Sequence, residues 1–147
     1  MGDIHLLNGP NLGRLGTREP AVYGADTLSD IEASCRAIAS KFGHGLVARQ
    51  SDVEGELVGF VHNAIDEGAL GVILNAGAYT HTSIALHDAL KMLDVPVVET
   101  HLSNTHRREA FRHHSAIAPA VTGVIMGFGS QSYRLATLAL CERLAQS

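Results

Sequence analysis

Hydrophobic residues follow two alternating patterns along this chain. Short, nearly continuous apolar runs, such as residues 4–7 and 70–74, are typical of strands covered on both faces. Between these runs, apolar residues recur every three or four positions, as at Leu28, Ile31 and Cys35, which predicts helices. The predicted strands are residues 3–8, 45–51, 70–75, 95–100 and 122–128. The predicted helices are residues 27–42, 57–65, 82–93 and 130–146, with one short helix between the last two strands.

Strands that alternate with helices indicate βαβ units and a parallel sheet. The 147 residues show no internal repeat, low-complexity tract or linker, which predicts one domain spanning residues 1–147. The simplest architecture is a three-layer, flavodoxin-like α/β fold with helices on both faces of a five-stranded parallel sheet, in the order 2-1-3-4-5. Ligands of such folds bind beyond the carboxyl ends of the strands. The loops that follow the strands are therefore the expected location of the chemistry.

Composition excludes several classes of function. A net charge of −4, 5% aromatic residues and no tryptophan argue against a nucleic-acid partner. Cys35 and Cys141 lie far apart with no CxxC spacing, which argues against a disulfide-built fold or a cysteine zinc site. The first apolar run is too short for a signal sequence or a membrane span, so we expect a soluble cytoplasmic protein.

The basic residues are unusual in kind, since the chain has 9 histidines and only two lysines, Lys41 and Lys91. Neither lysine is predicted at the carboxyl end of a strand. Schiff-base catalysis, which needs a lysine in the site, is therefore disfavoured.

Residues 9–24 form the first candidate binding loop. At about 16 residues the loop exceeds the usual two to six of a strand–helix connection, and such loops are often lids. It carries Arg14, Arg18 and Tyr23, which suits a lid that closes over an anion and supplies a phenol. The alternative is a loop that merely turns, with Tyr23 as a packing anchor.

A second candidate is residues 101–114, which contain three arginines and one glutamate. A positive cluster at the open end of a sheet can attract and orient an anion. On the predicted short helix, Arg108 and Arg112 would share one face, whereas Arg107 would face solvent or another subunit. The alternative is a solvated basic helix without a ligand.

A third candidate is residues 75–82, where Asn75 ends a buried strand and Gly77 permits close backbone approach. By contrast, the loops at 51–52 and 127–132 look plain. Gly127–Ser130 is a weak anion-site match that lacks a Walker A lysine and a dinucleotide fingerprint. A response-regulator receiver domain is disfavoured, because it would need acidic residues after the first and third strands, where this chain has Asn8 and Asn75.

A metal site is a further alternative, because many histidines fall in these loops. None of them lies in an HExxH arrangement, and Arg108 and Arg112 would repel a divalent cation. The candidate ligands are His81, His101, His106, His113 and His114.

Once metal and imine mechanisms are disfavoured, the candidate loops still offer Arg, His, Tyr, Asn and Ser side chains around an expected anion. These side chains suit proton abstraction beside a carbonyl, followed by loss of a leaving group.

Long segments of the chain resemble the type II 3-dehydroquinate dehydratases. The segments are residues 6–24 (LLNGPNLGRLGTREPAVYG), 75–86 (NAGAYTHTSIAL), 99–115 (ETHLSNTHRREAFRHHS) and 123–129 (GVIMGFG). The resemblance covers essentially the whole chain. It implies a flavodoxin-like subunit, a homo-dodecamer built from trimers, and removal of water from 3-dehydroquinate to give 3-dehydroshikimate without a metal or organic cofactor.

The resemblance also implies roles for individual residues. Tyr23 corresponds to the catalytic base and His101 to the general acid, with Glu99 as the carboxylate that orients it. Three further positions act around the reacting atoms, namely Arg18 and Arg108 near the tyrosine and Asn11 near a water at the enolate oxygen. The substrate-binding positions are Asn75, His81, Asp88 (from an adjacent subunit), Leu102, Ser103 and Arg112.

The chain departs from the family pattern at Ala76, at His87 and at Gly13-Arg14. These positions bear on a turn, a subunit or surface contact and the lid, but they remove no reacting group. The same reaction serves aromatic biosynthesis and quinate breakdown. The competing hypothesis is an anion-binding module that retains the pocket without the chemistry.

Overall fold

A five-stranded sheet organises the protein. The structure, a computed structural model, describes residues 2–17, 19, 21 and 24–146. All strand pairs are parallel, and their order is β2-β1-β3-β4-β5, so the predicted flavodoxin-like order is confirmed. The strands are β1 (Asp3–Asn8), β2 (Gly45–Gln50), β3 (Gly71–Asn75), β4 (Val97–His101) and β5 (Gly123–Met126).

Helices cover both faces of this sheet. They are α1 (Leu28–Lys41), α2 (Glu54–Asp66), α3 (Ile84–Leu90) and α4 (Gln131–Ala145). Because successive strand side chains point to opposite faces, Ile4 and Leu6 of β1 join one core with α1 and α4. Leu7 belongs instead to a second core with α2 and α3. The two layers hold the carboxyl ends of β1, β3 and β4 side by side.

The third predicted helix is shorter than its apolar pattern suggests. The apolar pattern predicts a helix over residues 82–93, and the structure shows α3 at Ile84–Leu90. A 3-10 turn at Gly77–His81 precedes it, and the Ser83 side chain accepts a hydrogen bond from the Leu86 N–H. A side chain that satisfies a free N–H in this way defines where a helix begins.

The predicted short α-helix after β4 is wrong. That region contains separate 3-10 turns at Thr105–Arg107, Ala110–Arg112 and Ala118–Ala120. Arg108 has extended backbone between the first two (φ −109°, ψ −163°), and the Asn104 side chain accepts from the His106 N–H. Such local side-chain bonds compete with helix formation.

The two cysteines and the two lysines all lie in or next to helices. Cys35 and Cys141 are free and buried, and burial raises the pKa of both thiols, as expected for small core residues. Lys41 ends α1 and Lys91 follows α3. None of the described helices combines the length and the apolar character needed to cross a membrane.

His5 makes stability depend on pH. It is 1% exposed, and burial lowers the pKa of His5 below its ordinary value of 6.5. The weaker charges of Glu67 and Asp3 raise this pKa, whereas the charge of Arg49 lowers it further. The fold therefore favours the neutral ring, so this stabilisation is present above about pH 6.5 and is lost as the pH falls below it. We expect the free energy of unfolding in urea to decrease between about pH 7.5 and 5.5.

A substitution separates His5 from other titrating groups. The decrease should be smaller in His5→Gln, whereas His62→Gln, which replaces an exposed histidine, should reproduce the wild-type pH dependence. A His5→Gln variant that loses as much stability as the wild type over this range would contradict the assignment.

Candidate active site

A cavity of about 260 Å³ lies beyond the carboxyl ends of β1, β3 and β4. This is where an open parallel sheet is expected to bind its ligand. The predicted site residues that line it are Asn11, Asn75, His81, His101, Leu102, Ser103, Arg108 and Arg112. The sequence separation of these residues is large, and the three neighbouring strand ends bring them together.

The last residues of β4 form a buried acid–base pair. Glu99 and His101 are two positions apart on a strand, so they share one face, and they are 1% and 6% exposed. The His101 Nε2–H donates to Glu99 Oε2 at 2.6 Å, and Ser115 Oγ donates to Glu99 Oε1 at 3.1 Å. The carboxylate therefore fixes the imidazole ring through Nε2, so a further hydrogen bond from this ring has to use Nδ1.

His81 is held as a hydrogen-bond acceptor. Its Nδ1 lies 2.8 Å from the carbonyl oxygen of His114, which can only accept, so Nδ1 carries the proton. Burial lowers the pKa of His81, and the nearby charges of His101 and Arg112 act in the same direction, while the His114 hydrogen bond and Glu99 oppose them. A neutral ring with a free Nε2 suits contact with a ligand hydroxyl.

Two arginines reach the cavity by a different route from the predicted one. Arg108 and Arg112 do not share a helix face, since Arg108 is extended between two 3-10 turns and Arg112 ends the second of them. Both nevertheless line the cavity. Arg108 Nη1 lies 3.4 Å from Ser103 Oγ, and Arg112 Nε donates to Glu109 Oε1 at 3.0 Å. This hydrogen bond is the main cause of the lowered pKa of Glu109. The guanidinium groups of Arg108 and Arg112 outnumber the single carboxylate of Glu109, so this side of the cavity favours an anion.

The β1 and β3 ends approach each other so closely that glycine is required. A Cβ on Gly9 would lie 2.5 Å from the Ala76 carbonyl oxygen, and the Gly9 N–H donates to the Asn75 carbonyl oxygen at 2.8 Å. Gly77 has φ +58°, a left-handed conformation that favours glycine. Its N–H donates to Asn75 Oδ1 at 3.0 Å, so the Asn75 amide has a defined orientation.

The loop after β2, which looked plain in the sequence, holds the base of the first loop. Asn11 has a left-handed backbone (φ 69°), and its N–H donates to Asp52 Oδ1 at 2.9 Å. Gln50 Nε2 donates to the Gly9 carbonyl oxygen at 3.1 Å, and Tyr79 Oη donates to the Asp52 carbonyl oxygen at 2.7 Å. Nothing in the local pattern around Asp52 indicates this function, because its partners come from other loops.

Removal of the Asp52 carboxylate should loosen Asn11. In Asp52→Ala, the Asn11 N–H loses its acceptor, and we expect its amide hydrogen to exchange about five- to tenfold faster, as for the loss of a hydrogen bond worth about 1 kcal/mol. Exchange measured by NMR tests this without any ligand. Asp52→Asn keeps an acceptor oxygen and should retain wild-type protection. Equal exchange in all three proteins would show that Asp52 does not hold the loop.

Some predicted residues lie elsewhere. Asp88 is exposed on α3, where its carboxylate lies 3.2 Å from His87 Nδ1, and it does not line the cavity of its own chain. Arg107 is exposed. Tyr23 and Arg18 lie outside the described residues. Among the residues that the structure describes, no three His, Cys, Asp or Glu side chains are grouped so that they could hold a metal ion.

Comparisons with known proteins agree on one family. The family model described as Dehydroquinase class II matches residues 2–141. A protein named 3-dehydroquinate dehydratase from Jannaschia sp. (strain CCS1) is 58% identical over 143 residues, which cover 97% of this chain and 96% of that protein. A protein of the same name from Azorhizobium caulinodans is 60% identical over 137 residues, or 93% and 92% of the two chains.

A solved structure gives the same result. The type II dehydroquinase from Propionibacterium acnes superposes with a TM-score of 0.91 at 42% identity, covering 97% of each chain. The fold, the sequence similarity over nearly the full length and the solved structure thus agree, and the chain belongs to the class II dehydroquinase family.

Proposed function

We propose that this chain is a hydro-lyase that dehydrates 3-dehydroquinate to 3-dehydroshikimate through an enolate intermediate, within one flavodoxin-like catalytic domain. Membership of the family supports the reaction, as do the relatives named 3-dehydroquinate dehydratase at 58% and 60% identity. The observation that carries the proposal is the buried Glu99–His101 pair at a cavity that Arg108 and Arg112 also line. This combination suits proton transfer to a bound anion.

The first step is proposed to be removal of a proton from C2, beside the substrate ketone. Tyr23 is the proposed base. A phenol has an ordinary pKa of about 10, so it needs nearby cations to act as a phenolate near neutrality. Arg18 and Arg108 are the proposed cations. The electron pair of the C2–H bond forms the enolate, whose oxygen would be stabilised by a water held by Asn11.

The second step is proposed to be protonation of the departing C1 hydroxyl by His101. The Glu99 carboxylate accepts from Nε2, which orients the ring and stabilises it when it carries a second proton. Nδ1 then faces the leaving hydroxyl. As the C1–O bond breaks, the enolate electrons form the C1–C2 double bond and water leaves.

The remaining cavity residues are proposed to bind the substrate. Ser103, with the backbone N–H groups at Leu102 and Ser103, would take the carboxylate. The free Nε2 of His81 and the guanidinium of Arg112 would take ring hydroxyls, and Asn75 would bind at the floor. These positions supply both donors and acceptors, as a polyhydroxylated anion requires.

The direct experiment is an absorbance assay for the conjugated enone product, with purified protein and 3-dehydroquinate. We expect product formation that is unaffected by a metal chelator and by borohydride. Folded protein that forms no product would refute the proposal, and tight substrate binding without product would favour the anion-binding module. Loss of activity with chelator or borohydride would favour a metal or an imine mechanism instead.

We also propose assembly into trimers and then a homo-dodecamer, with Asp88 offered to the cavity of an adjacent subunit. The exposed position of Asp88, away from the cavity of its own chain, supports this arrangement. Sedimentation velocity distinguishes monomer, trimer and dodecamer.

A further inference from the structure

Three buried polar side chains meet beneath the floor of the cavity. Tyr133 Oη donates to Asn8 Oδ1 at 2.6 Å, and Asn75 Nδ2 donates to the same Tyr133 oxygen at 2.9 Å. Tyr133 and Asn8 are 0% exposed and Asn75 is 4% exposed. We call this set the Asn75–Tyr133–Asn8 relay. It joins the ends of two neighbouring strands to a helix on one face of the sheet.

The relay has one possible direction. The Gly77 N–H can only donate, so the atom it contacts in Asn75 is the amide oxygen. The other end of that amide, Nδ2, must then donate to Tyr133. The Tyr133 hydroxyl has a single proton, which goes to Asn8 Oδ1. The orientation of the Asn75 amide is thus determined by groups outside the cavity.

Packing alone does not call for this hydroxyl. Tyr133 belongs to the apolar core that also contains Ile4 and Leu140, and phenylalanine would occupy almost the same volume. A buried hydroxyl and two buried amides are costly unless all are hydrogen-bonded, and an apolar set of similar shape is often as stable. Burial also raises the pKa of Tyr133 far above its ordinary value, so the hydroxyl remains a neutral donor.

We propose that Tyr133 is a positioning residue for the reaction, acting through Asn75. Its hydroxyl holds Nδ2 of Asn75 as a donor, so that the second Nδ2–H is available to an oxygen of the substrate. This inference rests on the proposed function, in that Asn75 is taken as a substrate contact. Tyr133 itself does not line the cavity.

The first test compares Tyr133→Phe with a matched variant on the same helix. We expect kcat/KM for 3-dehydroquinate to fall about tenfold in Tyr133→Phe, mainly through KM, the effect of about 1.4 kcal/mol of lost binding. Thr137→Val removes another buried hydroxyl, which donates to the Tyr133 carbonyl oxygen at 2.8 Å. It should lower the melting temperature but change kcat/KM by less than about twofold. Equal kcat/KM in Tyr133→Phe and wild type would overturn the proposal.

A double-mutant cycle tests whether the effect passes through Asn75. In an Asn75→Ala background, Tyr133→Phe should have no further effect on kcat/KM. An equal loss in both backgrounds would show that Tyr133 acts otherwise and would overturn the proposal.

A measurement without substrate keeps the relay testable if the proposed reaction fails. In Tyr133→Phe, the Asn75 side-chain amide protons should exchange faster by NMR than in wild type or Thr137→Val. Unchanged exchange would overturn the positioning role. If the wild-type protein forms no product, the proposed reaction is refuted. If Tyr133→Phe nevertheless shows faster exchange than wild type, the relay remains supported.

Discussion

Replacement of His101 by alanine is expected to lower kcat for 3-dehydroquinate dehydration by about 10²- to 10⁴-fold, the range of general acid–base catalysis. His101 lines the cavity, and its Nε2 is bound to Glu99, so the substitution removes the proposed proton donor to the leaving hydroxyl. Substrate binding should change less than turnover, because Arg108, Arg112 and Asn75 remain in the cavity lining. Steady-state kinetics that separate kcat from KM provide the measurement.

The control for this prediction must account for Glu99. Alanine at 101 leaves a buried carboxylate with Ser115 as its remaining side-chain hydrogen-bond partner, which costs stability. His101→Gln keeps an amide donor for the carboxylate but cannot act as an acid, so it should fold and still lose turnover. His106→Ala, an exposed histidine outside the cavity lining, should retain kcat. His101→Gln with more than about a tenth of wild-type kcat would contradict the acid role.

Replacement of Tyr23 by phenylalanine is expected to lower kcat by a similar factor, about 10²- to 10⁴-fold. The ring is retained and the ionisable hydroxyl is lost, so substrate binding should survive while proton removal fails. A primary isotope effect with substrate deuterated at C2 should increase in the variant if this step becomes rate-limiting. Steady-state kinetics and a separate binding titration measure the two effects independently.

The chain provides a matched control among its three tyrosines. Tyr79 donates to the Asp52 carbonyl oxygen and is not part of the cavity lining. Tyr79→Phe therefore removes a phenol hydroxyl that stabilises a loop, and it should lower kcat by less than about tenfold. If Tyr23→Phe kept wild-type turnover, the proton would have to be removed by another group, and the proposed base would be wrong.

The element pattern could be predicted from the sequence wherever local composition decides it. The first strand was predicted at residues 3–8 and is observed at Asp3–Asn8, because a continuous apolar run must be buried on both faces. The region from 104 to 122 was not predictable in the same way. Its 3-10 turns depend on individual side-chain hydrogen bonds, such as the one at Asn104, which a hydrophobic period does not detect.

The residues of the candidate site also differ in whether the sequence reveals them. The motif resemblance placed Glu99, His101 and Arg112 in one site, and the structure brings them to one region. Three supporting residues were missed. The contacts of Asp52 with Asn11, of Tyr133 with Asn75 and of Ser115 with Glu99 span 41, 58 and 16 residues, so no local pattern marks them.

The sequence by itself determined the order of strands and helices, the absence of a lysine at the strand ends, and the motifs that identify the family. These follow from periodicity and residue identity, which act over a few neighbouring positions. Only the tertiary structure decided which nitrogen of His81 and of His101 is hydrogen-bonded within the protein, how Asn75 is oriented and what holds Asn11. A hydrogen bond requires its donor and acceptor within about 3 Å, and only the folded sheet brings residues from distant loops to that separation.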